Sequence, residues 1–164
     1  MGKKKRVKKT VPIRLLEQKG IPFQVHQHAH KQLTAEGVAE DLGIPVAEVL
    51  KAMIVRRSDR QFALVLVRGD RRLSLKKVGA AMDDKGVALA TERDVQRVTG
   101  YQVGAVSVIG FRRDDVLTFV DQTVLELEQA IISSGRPDAA LALSPDGLMR
   151  ALEGAEVGDF SEEV

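Results

Sequence analysis

One ammonium stands inside the apolar run Val49-Leu50-Lys51-Ala52-Met53-Ile54-Val55. On a strand, alternation puts Val49, Lys51, Met53 and Val55 on one face. A lysine with apolar neighbours is costly to bury alone. It snorkels to water, pairs with a carboxylate, or serves a ligand. Three further stretches hold residues that could do chemistry. His26, His28 and His30 are the only histidines, spaced by two. One strand face would collect their imidazoles, as a shared metal requires, although metal sites usually draw a ligand and carboxylates from elsewhere. The alternative is a polar strand edge. The loop from Gly100 through Tyr101, Gln102, Val103, Gly104, Ala105, Val106, Ser107, Val108 and Ile109 to Gly110 has three glycines and one serine. Glycines permit close ligand approach, and free amides hold an anion or a carbonyl. The spacing is neither a P-loop nor a dinucleotide fingerprint, and a plain structural loop is the alternative. Ser107 and Ser134 lie outside any Gly-x-Ser-x-Gly elbow, and the chain has no cysteine, so serine-elbow and thiol chemistry drop out.

These residues need elements to hold them. Pro12 and Gly20 bracket a short first helix. Phe23 to His28 reads as a strand, and Thr34 caps a helix through Val38 to Leu42 that Gly43 closes. Pro45 opens one more turn before the lysine strand. Ser58 to Gln61 is a hairpin turn, and Phe62 to Val67 is apolar throughout, as in a central strand. After the Gly69-Asp70 turn come a short strand over 72–75 and a helix from Lys76 to Met82. Val87 to Ala90 is extended. Thr91 caps a helix through Val98, with Glu92 and Asp94 in its first turn, ended by Gly100. Val116 to Val120 is a strand, Gln129 to Ser133 and Ala139 to Leu143 form a hairpin across Gly135, and Ser144-Pro145 starts a last helix that ends at Gly154. The pattern is α/β: a mixed, mainly antiparallel sheet with flanking helices. Residues 1–10 read as a disordered basic tail, and 11–164 as one domain.

The 164 residues suffice for one real core. No apolar run approaches the roughly 18 residues that span a bilayer, and the basic start lacks the apolar segment of a signal peptide. The net charge of +2 hides an asymmetry. Residues 1–10 hold six cations and no anion, and residues 56–77 eight cations against two anions. Residues 121–164 hold two cations against ten anions. A polyanion, if there is one, should meet the tail and the central patch of Arg56, Arg57, Arg71, Arg72, Lys76 and Lys77, with the acidic C-terminal third facing away; the alternative is solvated hairpin edges plus a solubilising tail.

Taken together, the Ile21-Pro22-Phe23 entry, His30, the helix from Thr34 to Gly43, the Lys51 strand, Thr99-Gly100-Tyr101 followed by Gly104 and Gly110, the strand ending at Asp121, Ser134-Gly135 and Leu143-Ser144-Pro145 resemble the YbaK/EbsC family. That editing fold also occurs inserted in bacterial prolyl-tRNA synthetases. The resemblance implies an aminoacyl-tRNA deacylase, acting in trans on the 3′ end of a mischarged tRNA. The commonest family theme is tRNA for proline carrying a small wrong amino acid. It implies that Lys51 holds the terminal phosphate or backbone and orients the ester. It also implies that the Gly104–Val108 loop (Gly104, Ala105, Val106, Ser107, Val108) supplies amides to the aminoacyl carbonyl or the terminal ribose. Gly100, Tyr101, Gly110, His28, His30, Ser134 and Gly135 are the expected companions around the substrate.

The chain has Val108 where the family loop usually ends in Pro, His28 where many members have Tyr, and Ala140 where several carry a polar residue. The partners implied are a tRNA acceptor end and an aminoacyl-tRNA synthetase, with no membrane and no cofactor; the expected compartment is cytoplasmic. The rival readings are a non-catalytic tRNA- or synthetase-binding module and a metal-dependent hydrolase built on His26, His28 and His30.

Overall fold

The computed structural model describes residues 9–28 and 34–164. His30 and almost all of the basic tail lie outside that set. The fold is arranged about β3 (Phe62–Arg68), the apolar run with six of its seven residues buried. Alternation sends Phe62, Leu64 and Leu66 into one apolar cluster, and Ala63, Val65 and Val67 into another on the opposite face. Burial on both faces is what an uninterrupted apolar strand requires. Beside it lies β2 (Leu50–Arg56), antiparallel, with Lys51 opposite Val67. On its other side β6 (Leu117–Asp121) runs parallel to β3, and β9 (Glu156–Gly158) parallel to β6. The short β5 (Ala88–Leu89) pairs with the end of β2 and completes a five-stranded sheet.

A second, antiparallel sheet holds β1 (Gln24–Gln27), β8 (Ala139–Leu143) and β7 (Ala130–Ser133), in that order. The larger cluster fills the space between the sheets. It is closed by Ile13 and Leu16 of α1 (Val11–Gln18), Val95 and Val98 of α4 (Glu92–Thr99), and Leu148 of α5 (Pro145–Ala151). Val78 of α3 (Leu75–Ala81) covers the opposite face. The caps read from sequence are in place. The hydroxyls of Thr34, Thr91 and Ser144 accept from the amides of Gly37, Asp94 and Gly147 at 3.0, 3.1 and 3.0 Å. Gly43, in the left-handed region, closes α2 (Ala35–Leu42). Among the described residues, no helix is long and apolar enough to cross a membrane.

One expectation fails. The acidic C-terminal segment does not face away from the central cations. Past Gly154, where the sequence reading stops, β10 (Ser161–Glu163) pairs antiparallel with β4 (Arg71–Leu73). Glu162 lies 3.3 Å from Arg72, and Asp159 lies 2.9 Å from Lys77. A short edge strand exposes unpaired amides and carbonyls. An acidic strand satisfies them and neutralises their cations together.

Candidate active site

The two sheets touch and then part. Val49, just before β2, makes a parallel bridge to Ile131 of β7. At its far end β2 is closed by β5, at Val55 and Arg56. Between these points the edges of β2 and β7 diverge, and the wedge between them is a cavity of about 450 Å³. Its wall takes five consecutive residues of β2, Leu50 to Ile54, and Ile131 to Ser133 of β7. Consecutive lining residues mark strands seen edge-on, because a face would contribute only alternate ones. Further wall comes from Ala35 and Val38 of α2, Leu89 and Ala90 at β5, and the glycine loop.

Lys51 lies on this wall, half-buried. Its ammonium donates to the backbone carbonyl of Arg71, at the start of β4. The Arg71 side chain is held in turn, its Nε donating to Ser161 Oγ at 2.7 Å. An ammonium has three donors, so one is spent on the fold and, among the described residues, two are left for a ligand.

The glycine loop is fastened at both ends. Tyr101 donates its hydroxyl to the Ile109 carbonyl at 2.8 Å, and burial pushes its phenol pKa up to about 12. Ser107 Oγ donates to the Ser133 carbonyl at 2.8 Å, and Ser133 Oγ donates to the Ala105 carbonyl at 3.1 Å. The loop is thereby stitched to the open edge of β7. Both serines singled out from sequence are spent on structure, Ser134 Oγ donating to the Ala139 carbonyl at 2.8 Å. Within the loop, Val103, Gly104, Val106 and Val108 line the cavity. Among the described residues their amides donate to no protein acceptor, whereas the Ala105 amide donates to Gln102.

Gly100, Tyr101, Ala105, Ser107, Gly110, Ser134 and Gly135 stand behind this wall rather than on it. Gly110 and Gly135 seat the Tyr101 ring. A Cβ on Gly135, at φ +91°, would lie 2.9 Å from Tyr101 Cε1, and one on Gly110, at φ +78°, 2.8 Å from the phenol oxygen. Gly135→Ala is expected to destabilise by about 2 kcal/mol, from left-handed strain and a displaced ring. Urea unfolding would show a lower midpoint at unchanged slope; an unmoved midpoint would mean that the ring yields freely.

Of the three histidines, His26 and His28 are among the described residues. His28 lines the cavity, its Nδ1 4.0 Å from an Asp41 carboxylate oxygen and its amide donating to the Asp138 carbonyl at 3.1 Å. His26 sits on β1 opposite Ala140, off the cavity. No cluster of three potential metal ligands occurs among the described residues. The six central cations are also off the cavity wall. Arg57 faces Asp59 at 3.7 Å and Asp84 at 4.0 Å, and Arg72 and Lys77 pair with the C-terminal acids. Arg56 and Lys76 have no ion-pair partner among the described residues.

Sequence reasoning missed Arg136, whose guanidinium grips Asp138 through two bonds of 3.1 and 3.0 Å at the cavity rim. The Arg-Pro-Asp spacing within the hairpin turn was the available signal. It also missed Glu36 and Glu92 on the wall; Glu92 reads locally as a first-turn helix acid.

Residues 29–151 match the family model described as "Aminoacyl-tRNA editing domain". Among curated proteins, the chain is 28% identical over 156 residues to "Putative Cys-tRNA(Pro)/Cys-tRNA(Cys) deacylase EbsC" of Enterococcus faecalis (strain ATCC 700802 / V583), covering 94% of each. It is 33% identical over 108 residues to a proline--tRNA ligase of Desulforamulus reducens (strain ATCC BAA-1160 / DSM 100696 / MI-1), covering 66% of this chain but 18% of the ligase. Among solved structures, a "putative trans-editing enzyme for prolyl tRNA synthetase" superposes with a TM-score of 0.81 at 26% identity, covering 93% of this chain and 98% of that one.

Proposed function

Because the chain belongs to the aminoacyl-tRNA editing domain family, we propose that it is a deacylase hydrolysing the ester between a wrong amino acid and the 3′ end of a tRNA. The observation that carries this reading is the set of amides of Gly104, Val106 and Val108, unpartnered among the described residues, in a loop that lines a cavity shared with Lys51. Ester hydrolysis adds water to the acyl carbon, gathers negative charge on the carbonyl oxygen, and expels the ribose hydroxyl. Fixed amides aimed at that oxygen stabilise the transition state without reorganising. Lys51 contributes the donors left after Arg71, holding the terminal phosphate or ribose so that the ester meets the loop. Deacylation leaves a free amino acid and an uncharged tRNA.

The amino acid is the finer part of the proposal. The cavity wall is mostly Val, Leu, Ile and Ala, which suits a small uncharged side chain, and the relatives point to tRNA for proline. A shape-based pocket separates side chains differing by a methylene by about 1–3 kcal/mol, so a tRNA panel must decide. The wild-type protein is expected to hydrolyse at least one of alanyl- and cysteinyl-tRNA for proline, and to spare prolyl-tRNA. Binding of tRNA without turnover of any panel member would leave a non-catalytic binding module. Association with a proline--tRNA ligase and a cytoplasmic site of action belong to the same proposal.

The central cations are the proposed track for the acceptor stem: Arg56, Arg71 and Lys76, with Arg57, Arg72 and Lys77 partly neutralised by their carboxylates. Arg56→Ala and Lys76→Ala are each expected to lower the salt slope of tRNA binding by about 1. Titration at several salt concentrations measures this; an unchanged slope in both would move the track elsewhere.

A further inference from the structure

We propose that the backbone of Ala52 reads the aminoacyl group as a strand reads its neighbour, and that its side chain sets the size limit for the amino acid. This rests on the deacylase reading and adds a recognition element to it. In β2 the parity of backbone groups is set by two hydrogen bonds. Arg57 donates its amide to Gln61 on the β3 side, and Ile54 accepts from Ala90 on the other side. Amide and carbonyl of one residue point to the same side, and the side alternates along the chain. Ala52, two residues before Ile54, therefore turns its N–H and C=O away from β3 and into the wedge. Nothing pairs with them among the described residues: β5 reaches only Val55 and Arg56, and the β7 bridge lies back at Val49. Across the wedge, the corresponding Ser133 carbonyl of β7 is already taken by Ser107.

An aminoacyl ester carries an ammonium donor and a carbonyl acceptor on either side of one Cα, like a residue of an antiparallel strand. Ammonium to the Ala52 carbonyl, and Ala52 amide to the acyl oxygen, reproduce a hydrogen-bonded strand pair. Directly opposed residues put their side chains on the same face, about 4.5–5.5 Å apart at Cβ. The substrate side chain then lies beside the Ala52 methyl, on the face of Leu50 and Ile54, against Val95 and Val106. A larger residue at 52 takes that space from the substrate.

The test is amide exchange by NMR on the full chain, with 3′-alanylamino-3′-deoxyadenosine as an unhydrolysable probe. Saturation is expected to slow exchange of the Ala52 amide about tenfold, the equivalent of one hydrogen bond, and to leave Lys51 and Met53, already paired with β3, unchanged. The N-acetylated probe, which lacks the ammonium, is expected to bind about tenfold more weakly. In the tRNA panel, Ala52→Val is expected to favour the smallest side chain. Shifts at Gly104 and Val106 with none at Ala52 would overturn this inference and leave the deacylase reading intact. A probe that perturbs no amide around the cavity, together with no hydrolysis, would remove both.

Discussion

Lys51→Met is expected to cut deacylation by about 10²–10³-fold, the usual loss when one preorganised donor at the reacting group is removed, while the protein stays folded. Methionine is close to lysine in length and suits the apolar face that Lys51 shares with Val55. The fold loses one hydrogen bond, to the Arg71 carbonyl, for about 1 kcal/mol. Single-turnover hydrolysis of the best panel substrate and a thermal scan read the two quantities separately. Lys51→Arg sharpens the result. It keeps the charge but replaces a compact ammonium with a planar fork. A lysine serving only as a phosphate anchor would be replaceable by arginine; one that orients the ester would not. Wild-type turnover in Lys51→Met would sink the proposed role.

Asp121→Ala is expected to destabilise by about 3 kcal/mol, since it strands several buried donors at once. That corresponds to a melting temperature roughly 6–12 °C lower for a chain of this size. Asp121 is fully buried at the end of β6. One carboxylate oxygen accepts from the Phe160 amide at 2.8 Å; the other accepts from the amide and hydroxyl of Thr123. Burial alone would raise its pKa, but bonds from Thr123, Phe160 and Ser161 outweigh it and hold the carboxyl below its usual range. A depressed folded-state pKa contributes stability that is present above the unfolded value, about 3.9, and is lost as pH falls through the folded one. Acid unfolding of wild type should steepen below about pH 4, and Asp121→Asn should flatten that dependence. Equal acid profiles for both proteins would show that Asp121 is not the group responsible. Phe160 and Ser161 lead into β10, and Ser161 holds Arg71, whose carbonyl receives Lys51. The same variant should therefore loosen the seat of the lysine.

Local chemistry carried most of the elements. Hydroxyls before helical runs, glycines after them, and the alternation or continuity of apolar residues act over a few residues. Thr34, Thr91, Ser144, Gly43 and the two-faced burial of β3 were thus legible directly. Lys51 was legible as an anomaly, a charge in an apolar strand. The strands past Gly154 were not: Glu156–Gly158 and Ser161–Glu163 are polar and short, and become strands only because β6 and β4 offer unpaired edges. For the same reason summed charge misplaced the C-terminal acids. Net charge is additive along the chain, but pairing depends on which edges meet. The site itself was legible only in part. The loop could be recognised by its glycines, but not which of its amides stay free, since Ser107 and Ser133 spend their hydroxyls on contacts 26 and 28 residues apart. Nor could sequence show that the chain bridges β7 at Val49 and that β2 then leaves a wedge beside it. A strand's open edge belongs to the pairing between strands, a non-local property, and here that gap becomes the cavity.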